Sequence, residues 1–296
     1  MTDSSAMVSP SSATAEPLPA LSATLFSGTD CAEFLQGYMT CDSNSLLQPA
    51  MAGQGLAAAL CNIKGRVIAN GWAFALPQQE AADAIVLITH ASVAEAVREH
   101  LTPYMVFSKT SAQALPEPVL GLVDQPASAP WIRLDARRQL ALPTMFNASV
   151  DEATRDPSAG QFMGSLIDDR RVLVNAECSA TYLPQMLGLG AWGAIDFGKG
   201  CYLGQEVVAR AEHRGQVKRQ LLALVTVGNP APVADLAPGA TVRDENGKTL
   251  GKVVATRGFP ATAPGIAALA VINAANLDLN APLTVDGYTE SMGFAS

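Results

Sequence analysis

Histidine is scarce: the 296 residues hold three, His90, His100 and His213, too few and too scattered for a histidine-built metal centre. No Cys-x-x-Cys occurs among the five cysteines, Cys31, Cys41, Cys61, Cys178 and Cys201. Neither a zinc ribbon nor a ferredoxin-type cluster cradle is therefore encoded locally, and no metal site is expected. Their odd number and wide scatter argue against a disulfide framework and suit a reducing, cytoplasmic setting. Basic residues are outnumbered, 19 against 27 acidic ones, giving a net charge of −8 and a pI near 4.9. No run of five basic residues appears. Direct nucleic-acid binding, which rests on clustered Lys and Arg, is disfavoured, although a local basic pocket for a small anion is not. No apolar run is long enough to cross a bilayer, so no membrane partner is expected. Residues 1–18, rich in Ser, Ala, Thr and Pro, lack the basic and continuous apolar regions of a secretory signal and read as a disordered tail.

What is present is core material. Hydrophobic residues make up 49% and charged ones 16%, enough for two to three packed units. Residues 21–26 read as a strand, followed by a helix over 31–37 with Asp30 as cap and Glu33 at capping-box spacing. Residues 55–60 and 66–74 read as strands around the turn Asn62-Ile63-Lys64-Gly65. The Ile-Val-Leu-Ile run within 84–89 reads as a buried strand, and 92–101 as a helix opened by Ser92. That order predicts an α+β layer with mostly antiparallel pairing. Prolines 116, 118, 126 and 130 flank a short strand over 119–123, and 131–142 reads as a strand pair. A helix is expected over 162–173, with Asp168, Asp169, Arg170 and Arg171 on a solvated face. After Val217 the texture becomes all-β, with turns at Pro238-Gly239 and Asn246-Gly247, which predicts a small barrel. The predicted organisation is a tail (1–18), an α+β region (19–216, two subdomains meeting near 115–130) and a barrel (217–296).

One stretch stands apart in chemistry: Gly198-Lys199-Gly200-Cys201-Tyr202-Leu203-Gly204-Gln205-Glu206-Val207-Val208-Ala209-Arg210. Glycines around a lysine and a cysteine describe a tight turn, and helical spacing of Val207, Val208 and Ala211 against Glu206, Arg210 and Arg214 follows. Cys201 is then expected at or just before a helix N-terminus. Unpaired N–H groups and the nearby Lys199 would favour negative charge on its sulfur there. The bland alternative is a small buried hydrophobe in a turn.

This stretch resembles the Lys-Gly-Cys-Tyr-x-Gly-Gln-Glu signature of the YgfZ family of folate-binding proteins, relatives of the glycine-cleavage T-protein. Gly28-x-Asp30, Phe34-Leu35-Gln36-Gly37, Cys61-Asn62-Ile63-Lys64-Gly65-Arg66, Leu183-Pro184-Gln185 and Arg214-Gly215 resemble further blocks of that family, so the resemblance runs from about Leu21 to the C-terminus. It implies a T-protein-like α+β body with a C-terminal barrel. It also implies a central pocket for tetrahydrofolate or a one-carbon derivative, and iron–sulfur client proteins, including tRNA-modifying ones, as partners. By the same resemblance Cys201 is the reactive thiol, Lys199 supplies positive potential and Glu206 is a third catalytic candidate. Phe162 and Leu21, where bacterial members carry two tryptophans, are expected to line the folate site, together with Gly200, Tyr202 and Gln205. The alternative is a tetrahydrofolate-dependent aminomethyl- or methyl-transferase. No Asn-x-Ser-His-Met-Gly segment supplies its acid here, leaving Asp196 and Glu206 as nearest candidates. A thiol redox enzyme pairing Cys201 with Cys178 ranks last.

Overall fold

The computed structural model describes residues 15–76, 83–125, 131–145, 160–215, 217–226, 236–257, 266–275 and 277–295. The expected tail therefore lies mostly outside the described residues, but its last four residues are ordered. Ala15 and Leu18 are buried, and the short strand β1 (Glu16–Pro17) pairs with Gly121 and Leu120. Apolar burial of Leu18 beneath Gly121 holds this segment down.

The first unit follows the expected order: β2 (Leu21–Gly28), α1 (Cys31–Gln36), β3 (Leu56–Cys61), β4 (Val67–Ala75), β5 (Asp83–His90), α2 (Ala94–Met105) and β6 (Ser111–Leu115). Its five strands form an antiparallel sheet in the order β3-β4-β5-β2-β6. The β5 strand lies at the centre with Ile85, Val86, Leu87 and Ile88 buried, as a continuous apolar run requires. Both expected helix caps are corrected. Asp30 makes no side-chain cap; its carboxylate accepts from Lys109 N at 3.0 Å and Thr110 Oγ1 at 3.2 Å, tying α1 to the entry of β6. Ser92 yields to His90, whose Nδ1 accepts from Ser92 N at the start of a short 3₁₀ turn ahead of α2.

The second sheet has the order β1-β7-β9-β8, with β7 (Leu120–Val123), β8 (Ile132–Arg133) and β9 (Arg138–Ala141). Helix α3 (Gln161–Asp168) is shorter than expected. Arg170 adopts φ 54°, and Arg171 N reaches back to the Leu166 carbonyl at 2.8 Å, a left-handed stop. The charged residues beyond it do not form a freely solvated face. The fully buried Arg138 donates to Asp135, Asp169 and Ser165, while Arg171 pairs with Asp135 and Arg257 with Asp168. A guanidinium taken out of water needs such partners, so the cluster clamps α3 to β9 and to the barrel.

Helix α4 (Gln205–Arg214) leads into β10 (Arg219–Thr226), β11 (Thr241–Arg243), β12 (Thr249–Thr256), β13 (Ile266–Asn273), β14 (Leu283–Val285) and β15 (Tyr288–Phe294). These six strands close into a barrel because β10 pairs with both β13 and β15, which bears out the expected α+β body with a C-terminal barrel. Body and barrel share one core: Cys61, Val67, Tyr182 and Val208 pack with Ala223, Val254 and Leu269. Among the described residues no helix is long and apolar enough to cross a membrane.

Candidate functional site

The signature turn is held against the first unit at three points. Lys199 Nζ donates to the Gln36 carbonyl at 2.6 Å and to the Met39 carbonyl at 2.8 Å, satisfying acceptors at the C-terminal end of α1. Leu203 N donates to the Gly37 carbonyl at 2.9 Å. Gly204 adopts φ 83° and sits so close to the 62–65 turn that a Cβ there would lie 2.3 Å from the Asn62 carbonyl oxygen. Only glycine fits that approach. The partner glycine is Gly65, φ 68°, whose own Cβ would press on the Val207 side chain at 2.9 Å. Two blocks distant in sequence thus meet as one glycine-on-glycine contact.

Cys201 lies on this turn, outside α4: the helix begins at Gln205, behind the cap Gly204. The expectation of a thiol in the helix mouth is therefore corrected. Gly204 turns the chain through a left-handed residue before the helix can start. Cys201 is exposed, whereas the other four cysteines are buried. Burial pushes the thiols of Cys31, Cys41 and Cys61 up to about 12, and that of Cys178 upward as well. Lys199 also departs from expectation. Its ammonium turns inward as an anchor, lying 5.2 Å from the Tyr202 ring centroid. Burial pulls it below its ordinary value, with the carboxylates of Asp42 and Asp196 acting in the opposite direction.

Beside the turn opens a cavity of about 460 Å³ lined by Cys41, Asp42, Ser45, Leu56 and Ala57 with Gly193, Ile195, Asp196 and Phe197. Its shape follows from a buried hydroxyl: Thr40 Oγ1 donates to the Ala194 carbonyl and accepts from Ala59 N at 2.8 Å. Asp196 N returns a bond to the Thr40 carbonyl at 2.9 Å. The Asp196 carboxylate holds Gly198 N at 2.7 Å, which joins the cavity wall to the signature. Phe197 forms part of the rim with 42% of its surface exposed, and its ring lies 6.1 Å from that of His213.

The remaining expected residues fall into place less uniformly. Tyr202 is buried under the turn, its hydroxyl without a hydrogen-bond partner among the described residues, and burial raises its phenol. Gln205 caps the turn, its Oε1 accepting from Tyr202 N at 3.3 Å. Glu206 points to solvent and pairs with Arg210 at 2.7 Å. Gly200 has open space around it and needs no special geometry. Phe162 and Leu21 do not line this cavity. Both belong to the core around Trp72, where Phe162 is fully buried and meets the Trp72 ring edge-on at 6.0 Å. Its place there is made by Gly121, whose missing side chain leaves room for the ring.

Asp42, Cys41 and Phe197 escaped the sequence reading because no local motif marks them. So did Trp192, whose ring lies 5.3 Å from that of Trp72 and which, like Ala57 of the cavity wall, packs against the core around Trp72. Among the described residues no group of three His, Cys, Asp or Glu side chains could hold a metal ion.

No family model matches the chain. It is 30% identical over 260 residues to the "tRNA-modifying protein YgfZ" of Enterobacter sp. (strain 638), covering 77% of this chain and 76% of that protein. It is 28% identical over 255 residues to the human "Iron-sulfur cluster assembly factor IBA57, mitochondrial", covering 78% and 71%. Among solved structures it resembles glycine cleavage system aminomethyltransferase T from Bartonella henselae, with a TM-score of 0.66 over 95% of this chain and 84% of that one. Sequence identity there is 16%, so that likeness is one of fold.

Proposed function

The chain belongs to the YgfZ family, and on that premise we propose that it is a folate-binding accessory protein that supports the synthesis or repair of iron–sulfur enzymes through Cys201. The names of its relatives, a tRNA-modifying protein and an iron–sulfur cluster assembly factor, support a role of that kind. The observation that carries the reading is that Cys201 alone of five cysteines is exposed, on a turn fixed at Lys199, Leu203 and Gly204. A soft sulfur held on a rigid support is suited to ligate iron transiently or to take part in thiol exchange with a client. The cluster in this reading is cargo.

Tetrahydrofolate or a one-carbon derivative fits the cavity beside that turn. A volume of about 460 Å³ falls within the usual range for small-molecule sites. Leu56, Ala57 and Ile195 give it apolar walls, Phe197 an aromatic face at the rim, and Asp42 and Asp196 two acceptors for ring N–H donors. When bound, such a ligand supplies reduced-pterin or one-carbon chemistry beside the signature turn. Asp196 would position it by linking the cavity wall to Gly198.

Titration with tetrahydrofolate, read by quenching of Trp192 and Trp72, tests the folate half. Saturable binding that weakens in Asp42→Asn is expected, and no binding overturns it. Mass-mapped alkylation tests the thiol half, with Cys201 expected to react well ahead of the four buried cysteines.

A further inference from the structure

The cavity beside the signature turn carries charge of one sign. Two of the side chains that line it are carboxylates, Asp42 and Asp196, and none is a lysine or an arginine. The backbone brings the two acids to one wall: Asp196 N donates at 2.9 Å to the carbonyl of Thr40, two residues before Asp42. Each acid is tied to its own loop through a single oxygen. Asp42 Oδ1 accepts from Asn44 N at 3.2 Å, and Asp196 Oδ1 accepts from Gly198 N at 2.7 Å, which leaves the second oxygen of each for a ligand. Lys199, on the adjoining turn, directs its ammonium to the Gln36 and Met39 carbonyls rather than to either carboxylate. Leu56, Ala57 and Ile195 supply apolar wall, and Phe197 the aromatic side chain of the lining.

We propose that this cavity selects the one-carbon folate whose bridge is a cation: a tetrahydrofolate with its two bridging nitrogens joined by a single CH and sharing one positive charge. Such a preference rests on the folate reading of the cavity and names the charge state of its ligand. A neutral reduced pterin asks only for hydrogen-bond acceptors, which carbonyls or amides provide without mutual repulsion. Two carboxylates in one wall repel each other, and a cation beside them removes that cost. Phe197 acts in the same direction, because the face of an aromatic ring attracts cations. Both features oppose an anion, so the glutamate tail of the folate stays outside in solvent. A metal ion is the less favoured cation. Among the described residues no three His, Cys, Asp or Glu side chains are grouped to hold one, and the apolar wall suits an organic body.

The test uses the full chain and isothermal titration calorimetry in mildly acidic buffer, where the cationic bridge resists hydrolysis. The probes are 5,10-methenyltetrahydrofolate, which carries the charge, and 5-methyltetrahydrofolate, which is neutral at the same atoms and has the same tail. The cation should bind about tenfold more tightly to the wild type. Asp42→Asn should reduce that preference to about threefold, and Asp42→Asn with Asp196→Asn should abolish it, since each amide keeps an acceptor and loses the charge. A second measurement needs no variant. Raising salt from about 50 to about 200 mM should weaken binding of the cation more than binding of the neutral folate. Equal wild-type affinity for the two folates overturns the selection and leaves the folate reading standing. So does a preference that Asp42→Asn keeps in full, or one that salt does not reduce. Absence of saturable binding by either folate overturns both.

Discussion

Replacing Gly204 by alanine is the sharpest probe of how the signature is built. The residue sits at φ 83°, and an added Cβ would lie 2.3 Å from the Asn62 carbonyl oxygen, 3.0 Å from Gly65 Cα and 3.1 Å from Gly65 N. Left-handed backbone costs a non-glycine residue about 1–2 kcal/mol. Forcing a methyl into packed surroundings costs about 1–3 kcal/mol more, and here the atoms in the way are backbone, which cannot rotate aside. The expected loss is about 3 kcal/mol, or about a 1 M drop in the urea midpoint if m is near 3 kcal/mol per M. Gly200 supplies the internal control. It stands four residues before the cap glycine Gly204, yet a Cβ there meets nothing within 4 Å. Gly200→Ala should stay within about 0.5 kcal/mol of the wild type. Urea unfolding by tryptophan fluorescence and far-UV dichroism measures both. Losses of similar size at the two glycines, or a loss under 1 kcal/mol at Gly204, would refute the claim that close backbone approach fixes this turn.

Lys199→Met should destabilise by about 2 kcal/mol, because two carbonyls at the end of α1 lose a charged donor; chemical denaturation checks it. Phe162→Ala should cost about 3–5 kcal/mol as a core cavity while leaving tetrahydrofolate affinity, measured well below the melting temperature, unchanged. Alkaline stability follows from the buried thiols. Cys31, Cys41 and Cys61 titrate near 12 when folded against 9.0 when unfolded, so their contribution is complete below pH 9 and is lost as pH rises toward 12. Each can remove up to about 1.4 kcal/mol per pH unit in that window. Lys199, lowered from 10.5, acts in the opposite sense by adding stability as pH rises, and one lysine does not offset three thiols. Unfolding midpoints should therefore fall above pH 9, and less steeply in Cys61→Ala.

Much of the fold is legible because its elements carry their own patterns. The Ile85–Ile88 run, the 62–65 turn and the alternating strands after Val217 each announce themselves locally, and the structure puts them at the sheet centre, at a turn and in a closed barrel. What escapes the sequence depends on tertiary partners. Asp30 has the spacing of a cap but bonds the entry of β6, and the charges after α3 look solvated until Arg138 is seen buried among them. Lys199 reads as a cation aimed at a thiol, yet the unpaired carbonyls of Gln36 and Met39 draw it inward. Phe162, expected by resemblance to line the folate site, packs in the core beneath Gly121, a gap that nothing local in the sequence reveals. For the site, the signature marks Cys201 and its glycines. Asp42, Cys41 and Phe197 come to the cavity only through the Thr40 hydrogen bonds that join residues 40, 59 and 194.

The central claim is that Cys201 performs the chemistry and the surrounding turn holds it in place. Cys201→Ser keeps the side chain's size and hydrogen bonding while removing the soft sulfur. The direct measurement is the activity of an iron–sulfur enzyme in cells that lack the native protein and carry either the wild type or this variant at matched levels. The wild type should restore activity and the serine variant, folded and still able to bind tetrahydrofolate, should not. Full restoration by the serine variant would contradict the account and leave the signature as a structural turn.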